Sequence, residues 1–456
     1  MASGNYCSSY IKQIFILYPT CALALPCASS QGMAAKKRPT RNTPPSNRPG
    51  RAQTAAQLPV WPEQVRGGKH VRTLEHLIQD LRDANPHGNR ALFLDDVFIA
   101  SLLAFYNPAL RSLRTIEDFS QSRQAQKHLS IPKLCRSTFS DFNKLADPAR
   151  LQPILDHLRS LVLETGPGKP THALDDLHRR ILAVDGTFLH AAAVVWAFHN
   201  SGKKRGARLD FHVNVLTWLP EVVVVAHKDD SEADNAQTTI TPGAIHLYDR
   251  GIFSFDLITA HVANKADFVM RIREAGTRCP KFAATETREL TPAARAAGVV
   301  SDRIGRMTGS AHRPAPDVLV REVLIVPPDD PAHPVRLLTT LLDLDASVIG
   351  LLYRYRWQVE LFFRWLKCYA HFDHLISHTR EGVLLNFYAA VVGVTLMYLH
   401  MGCRPSKYMF ILMGMVANGS ATLEEIMPIL RERERQCEMA RQSAARRRAK
   451  KKAEAK

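Results

Sequence analysis

The sequence predicts an α/β protein, with a mixed-sheet core preceded by an all-α unit and followed by a helical region. Three observations carry this reading. Apolar residues recur at helical spacing from about Thr73 to Leu163, the pattern then changes to short apolar or alternating runs between Ile181 and Ile272, and helical spacing returns from Arg336. With 456 residues the chain is roughly two to three typical domains long. Apolar residues make up 46% and charged residues 23%, which excludes a collagen-like, coiled-coil or wholly disordered chain.

In the N-terminal part, Leu74, Leu77, Ile78 and Leu81 follow the 3/4 spacing, and helices are predicted over 95–106, 137–146 and 153–163. Residues 71–165 thus read as a helical domain, and Gly166-Pro-Gly-Lys-Pro170 as a linker. Strands are predicted at 181–184, 211–218, 222–226, 245–248 and 268–272, with a helix over 253–264. The stretch 274–334 is loop-rich with one clear strand at 318–327, and helical periodicity resumes at Arg336. Residues 383–399 are almost entirely apolar. They are short for a membrane span, contain Asn386 and are followed closely by Lys407, so a buried core helix is the better reading.

Sixty Lys and Arg against 43 Asp and Glu leave a formal charge of +17, a balance that points to a polyanionic partner, nucleic acid before membrane. Most of it is terminal. Residues 33–51 hold six cations and no acid, and 441–456 hold eight cations against Glu454. Both are expected to be disordered basic tails that tether electrostatically, within a disordered segment 1–70 and a C-terminal region 401–456. The eight cysteines show no CxxC and no paired Cys/His spacing, which argues against a zinc site or disulfide framework and for reduced thiols in the cytoplasm. Residues 14–28 have the length of a signal peptide, but only Lys12 precedes them and Pro19 and Pro26 interrupt them. Met33 opens a fresh basic segment, so residues 1–32 read as an over-extended start.

The most informative segment is 351–367. At about 100° per residue, a continuous helix would align Tyr353, Arg356, Glu360, Arg364 and Lys367 on one face, with Tyr355, Val359, Phe362, Phe363 and Leu366 opposite. Trp357 borders the polar face, where it could stack on a ligand or pack into the core. By itself such a face also suits a solvated amphipathic helix with an Arg356–Glu360 pair worth tenths of a kcal/mol. Two further acids weigh against that. Asp185 follows Ile-Leu-Ala-Val and precedes Gly186; Asp249 follows Ile-His-Leu-Tyr and precedes Arg250-Gly251. Each is placed at a strand tip before a glycine that lets backbone approach a ligand. Strands from Asp185, a helical link, a strand ending at Asp249 and a late helix with Glu360 describe a ribonuclease-H-like mixed sheet, in which the three acids would converge.

Tyr353-x2-Arg356-x3-Glu360-x6-Lys367 resembles the Y-x2-R-x3-E-x6-K signature of DDE transposases of insertion sequence family 4. Val184-Asp-Gly-Thr187 is similar to their first-aspartate region, and Asp249-Arg-Gly-Ile252 to their D-R-G-[YF] region, with Ile252 a mild departure. The resemblance spans roughly residues 75–400. It implies a catalytic core in two parts, 175–273 and 341–400, split by a β-rich insertion over 274–340. It implies Asp185, Asp249 and Glu360 as catalytic residues binding Mg²⁺, with Mn²⁺ as substitute, and Tyr353, Arg356, Lys367, Arg250 and Arg364 as DNA contacts. The implied partners are double-stranded element-end and target DNA and a second copy in a DNA-bound homodimer, with no membrane. Some relatives cleave through a DNA hairpin with an insertion aromatic against a flipped base. Here Phe282 is the lone aromatic between Glu274 and Ile349, which leaves that route open. A catalytically silent end-binding regulator derived from such an enzyme is the alternative.

Overall fold

The structure is a computed structural model. It describes residues 77, 81, 92–106, 110, 112–123, 133–165, 174–189, 207–227, 230–274, 280–310, 312–327, 331–368, 376, 377, 379–401, 408, 409, 412 and 421–454. The basic segment 33–51, the signal-length stretch 14–28 and most of the helix expected around Leu74–Leu81 lie outside these residues.

The chain divides into two compact units, one made of residues to Thr165 together with those from Glu381, the other of Gly166–Arg380. The first is helical: α1 (Leu94–Tyr106), α2 (Leu113–Ser120), α3 (Arg136–Leu145), α4 (Gln152–Thr165), and then most of α10 (Arg380–Met401) and α11 (Leu423–Glu454). The eight-residue α2 carries Leu113, Ile116 and Phe119 at helical spacing, and its start is fixed locally by a capping box between Ser112 and Thr115. Helix α10 carries the apolar run 383–399. Its Tyr388 hydroxyl donates to Gln152 Oε1 at 2.7 Å, which ties α10 to α4. Among the described residues no helix is long and apolar enough to cross a membrane. The C-terminal basic segment, expected to be disordered, is helical to Glu454; Arg, Lys, Glu and Ala are all good helix formers, so a charge run need not be a coil.

The second unit is built on one nine-stranded sheet in the order β3-β2-β1-β4-β5-β9-β8-β7-β6. Its first part comprises β1 (Ile181–Leu189), β2 (Ala207–Asn214), β3 (Pro220–His227), α5 (Glu232–Thr238), β4 (Ile245–Tyr248), α6 (Phe255–Ala263) and β5 (Asp267–Ile272). Strands β1 to β3 are antiparallel neighbours, whereas β1, β4 and β5 run parallel. The short β4 is buried at every position, as its continuous apolar run requires of a strand covered on both faces.

Strand β2 begins four residues earlier than expected and ends at Asn214. The reason is a side chain: Asn214 Oδ1 accepts the backbone N–H groups of Leu216 and Thr217, turning the chain while the sequence still looks strand-like. Trp218 then takes a left-handed conformation with φ 62°, rare for a bulky residue. The cost is offset by the burial of its indole against Phe362 at 5.6 Å between ring centroids.

The segment 274–340 is richer in strands than its sequence suggests: β6 (Lys281–Thr287), α7 (Pro292–Ala296), β7 (Val299–Thr308), β8 (Val320–Ile325) and β9 (Val335–Thr339). The run from Arg336, read as helical, opens instead as β9, paired antiparallel with both β5 and β8. Strands β6 and β7 carry Arg, Glu, Thr and Ala, and β6 is exposed along nearly its whole length, so neither shows the apolar alternation that marks a strand.

Beneath β4 lies a cluster of buried imidazoles. His246 contacts His212 and His261 at 5.5 and 4.9 Å between ring centroids, and the Tyr248 hydroxyl hydrogen-bonds His261 Nε2 at 2.9 Å. Burial lowers all three histidines, His212 to about 3 and His261 to about 4 from an ordinary 6.5. The unfolded chain therefore binds more protons than the folded one in this range. Stability from these neutral rings is full above pH 6.5 and is lost as pH falls toward 4. In urea titrations, His261→Phe is expected to lose less stability than wild type between pH 6.5 and 4. Equal losses would show that these imidazoles do not govern acid sensitivity.

Candidate active site

The site begins with a register. In the parallel β1–β4 pair Val184 stands opposite Tyr248, so the next residue of each chain segment, Asp185 and Asp249, are neighbours at one point of the sheet. Asp249 leaves β4 there and begins a short turn over Arg250–Ile252. Asp185 does not sit at a strand tip as expected: β1 continues past it to Leu189, with Asp185 paired to Phe211 of β2. The two glycines also differ. A Cβ on Gly186 would fall 2.7 Å from Asp210 Oδ1 and 2.8 Å from Glu232 Oε1, while Gly251 borders open space. The space over Gly186 is thus filled by the protein's own side chains.

Those side chains form a polar group that the sequence did not single out. Arg208 holds Asp210 through two hydrogen bonds of 2.6 and 3.0 Å and lies 3.6 Å from Glu232, while Asn235 donates to Asp210 at 2.7 Å. Its one legible signal was the i, i+2 spacing of Arg208 and Asp210, which puts both on one face of β2.

The third acid arrives on helices. The expected continuous helix is broken into α8 (Ala346–Tyr355) and α9 (Trp357–Cys368), with Arg356 at the junction. Helix α8 is capped by Asp345, whose side chain accepts from Ser347 N. Helix α9 packs Val359, Phe362, Phe363 and Leu366 inward, as its apolar arc requires, with Phe362 and Phe363 at 5.5 and 5.4 Å from Phe211. Phe211 is the β2 partner of Asp185, so this packing brings Glu360, in the first turn of α9, toward Asp185. A carboxylate is favoured at a helix N-terminus.

Arg356 is where the structure departs most from a row of exposed cations. Its side chain is only 11% exposed and is ion-paired with all three acids, 2.8 Å from Glu360, 3.5 Å from Asp185 and 4.0 Å from Asp249. Tyr353 completes the group, its hydroxyl donating to Asp249 Oδ1 at 3.0 Å and its ring 5.9 Å below the guanidinium. Asp185, Asp249 and Glu360 remain 25%, 45% and 32% exposed. Trp357, just past Arg356, is half exposed.

The electrostatics separate the two aspartates. Burial raises Asp185 to about 6, against the opposing effects of the Gly186 N–H and Arg356 and with help from the charges of Glu232 and Asp249. Burial also acts on Asp249, but Arg356, the Arg250 backbone N–H and Tyr353 outweigh it and hold that carboxyl below its ordinary value. Tyr353 is raised to about 12, chiefly by burial and then by the Asp249 charge. Arg364 is exposed on α9, and exposed Arg250 lies 3.9 Å from Glu274. Lys367 belongs to α9, but its side chain lies outside the described residues.

Among the described residues no group of three or more His, Cys, Asp or Glu side chains is spaced to hold a metal ion as it stands. The three acids instead surround a guanidinium, one oxygen-rich shell around one cation. The donor chemistry fits a hard divalent cation, which prefers carboxylate oxygens.

Residues 176–396 match the family described as Transposase DDE domain. The chain is 25% identical over 207 residues to y4zB of Sinorhizobium fredii, named as a transposase, covering 44% of this chain and 55% of that one. Over 77 residues it is 31% identical to a Geobacillus stearothermophilus protein named as the transposase of insertion sequence element IS5377, covering 17% of this chain and 20% of that one. The matches thus span about half the length of the first relative and a fifth of the second. A solved structure of the piggyBac transposase synaptic complex with hairpin DNA is similar at a TM-score of 0.37 and 14% identity, over 81% of this chain and 78% of that one. Over residues 176–396, then, this chain is similar to the family described as Transposase DDE domain, a likeness that supports an enzyme of the transposase class.

Proposed function

We propose that this protein is a transposase of the insertion sequence family 4 type, which binds element-end DNA, cuts it and joins it to target DNA through a ribonuclease-H-like core. The observation that carries the reading is the meeting of Asp185, Asp249 and Glu360 on one guanidinium, although they are 64 and 111 positions apart in the sequence. The order β3-β2-β1-β4-β5, antiparallel through β1 and parallel beyond it, supports the core assignment. The presence of all three acids favours an active enzyme over a silent end-binding regulator.

Cutting requires water, and joining a 3′-hydroxyl, to attack a phosphodiester in line and expel the opposite oxygen. Asp185, Asp249 and Glu360 are the residues that would hold Mg²⁺, or Mn²⁺ in its place. Bound divalent ions supply a lowered pKa for the attacking oxygen and charge neutralisation for the leaving one. The protein's own share is positional. Tyr353 orients Asp249, Phe362 and Phe363 fix the height of α9 over β2, and α9 directs Glu360 at Asp185. Exposed Arg364 and Arg250 are suited to bidentate phosphate contact, and Lys367 to a point-charge contact further along α9. Trp357 borders this face from an exposed position. Element ends and target are both double-stranded DNA, and pairing two ends in one complex calls for a homodimer. The site of action is the bacterial cytoplasm, at the nucleoid.

Three outcomes are expected. Asp185→Asn, Asp249→Asn and Glu360→Gln should each abolish cleavage and joining of an end-bearing duplex, with end binding by gel shift retained. Near wild-type cleavage by any one of them would remove that residue from the site. EDTA should stop both reactions and Mg²⁺ or Mn²⁺ restore them; robust cleavage in EDTA would rule out the metal-dependent mechanism. Deleting 441–456 should weaken end and random duplexes by similar factors. The slope of log K against log salt should flatten by about 0.9 for each phosphate that the truncated chain no longer neutralises. A weakening confined to end DNA would instead make the basic helix a sequence reader.

A further inference from the structure

We propose that Arg356 is the resident counter-ion of the three carboxylates: its guanidinium stands where divalent cations enter, keeps the acids together beforehand, and is exchanged out when those cations bind. The inference rests on the reading of Asp185, Asp249 and Glu360 as metal-binding residues.

The guanidinium touches all three acids at 2.8 to 4.0 Å, whereas a cation placed to hold DNA phosphate would face solvent. Without it, three carboxylates gathered at one point would repel one another. One positive charge does not balance three negative ones, which leaves the cluster with an electrostatic preference for a divalent ion. The backbone is also built for the exchange. Arg356 occupies the joint between α8 and α9, with its N–H on Tyr353 O at 3.0 Å and its carbonyl accepting from Val359 N at 3.1 Å. A side-chain rotation there needs neither helix to unwind. Glu360 and Asp249 are partly exposed, so the acids can be reached from solvent as the guanidinium leaves. Once out, it is near enough to take up a DNA phosphate, so that metal entry and substrate grip become linked.

The test uses the full chain and Mn²⁺, read by the electron paramagnetic resonance of the free ion. Arg356→Gln is expected to bind Mn²⁺ about tenfold more tightly than wild type, because a close positive charge no longer competes. Asp185→Asn and Glu360→Gln are expected to bind it more weakly. A second measurement needs no variant and so stands even where Arg356→Gln fails to fold. In wild type, an arginine-selective dicarbonyl reagent read by peptide mass spectrometry should label Arg356 several-fold faster with saturating Mn²⁺ than in EDTA, with exposed Arg364 as an unchanged reference. If Mn²⁺ binding depends on the acids but Arg356 labelling is the same with and without the ion, the exchange is overturned and the site reading survives. Folded Arg356→Gln with wild-type Mn²⁺ affinity overturns it equally. Mn²⁺ binding that is indifferent to all three acids would overturn both.

Discussion

The parallel pairing of β1 with β4 is the constraint on which the site depends. Because Val184 stands opposite Tyr248, the two segments bring Asp185 and Asp249 together at the same height. In a strand a slip of one residue would turn Asp185 to the opposite face of the sheet. The register is held from both sides. Ile181, Leu182, Val184, Ile245 and Leu247 are buried, and β5 pairs with β4 in parallel along its whole length. The imidazole cluster next to Tyr248 includes His246 of this same strand, packed between His212 and His261.

The third acid depends on a different set of forces, assembled largely by strands β7 to β9. Buried Arg321 of β8 is bonded bidentately to Asp302 of β7 at 2.8 and 2.7 Å. It also donates to the carbonyls of Leu341, Leu342 and Leu344, in the segment that leads into α8. Glu322 is held between Arg303 and Arg336. A buried charge deprived of one partner would be strongly destabilising, so these pairs fix the course of the chain between β9 and α8. The segment 274–340 thereby sets where Tyr353 and Arg356 emerge, although none of its own residues touches the three acids by hydrogen bond or ion pair among the described residues. Its sole aromatic, Phe282, packs against the core and under Arg303.

Much of this was legible in the sequence because it is local. The apolar runs of β1, β4 and β5 announce buried strands, and the inward arc of α9 follows from 3.6-residue spacing alone. The acids could be picked out by the apolar runs before Asp185 and Asp249 and by the helical spacing around Glu360, although β1 continues past Asp185. What could not be read was set by contacts between distant segments. Arg336 opens a strand because β5 and β8 flank it; β7 keeps charged residues because they find partners on β8. The helix breaks at Arg356, which no proline or glycine marks. A straight-helix wheel therefore put Arg356 on an open face, when its side chain lies over the Tyr353 ring and among the acids.

The surroundings of Arg356 also explain why the two aspartates differ. Arg356 and Glu360 face the strand acids together as an i, i+4 pair, so that Asp185, with Glu232 beyond Gly186, has this one cation near it. One guanidinium faces the strand acids while Glu360 lies one turn further on in α9. Asp249, at the open end of β4, also receives the Arg250 N–H and the Tyr353 hydroxyl, and is held ionised. Asp185, inside the sheet and beside a second carboxylate group, keeps its proton up to about pH 6. On the proposed reading of these acids as metal-binding residues, a divalent ion would bind the ionised carboxylate and so compete with any proton that Asp185 still holds. The affinity of the site for such an ion should thus fall with acidity, and Asp185 rather than Asp249 sets where that fall begins.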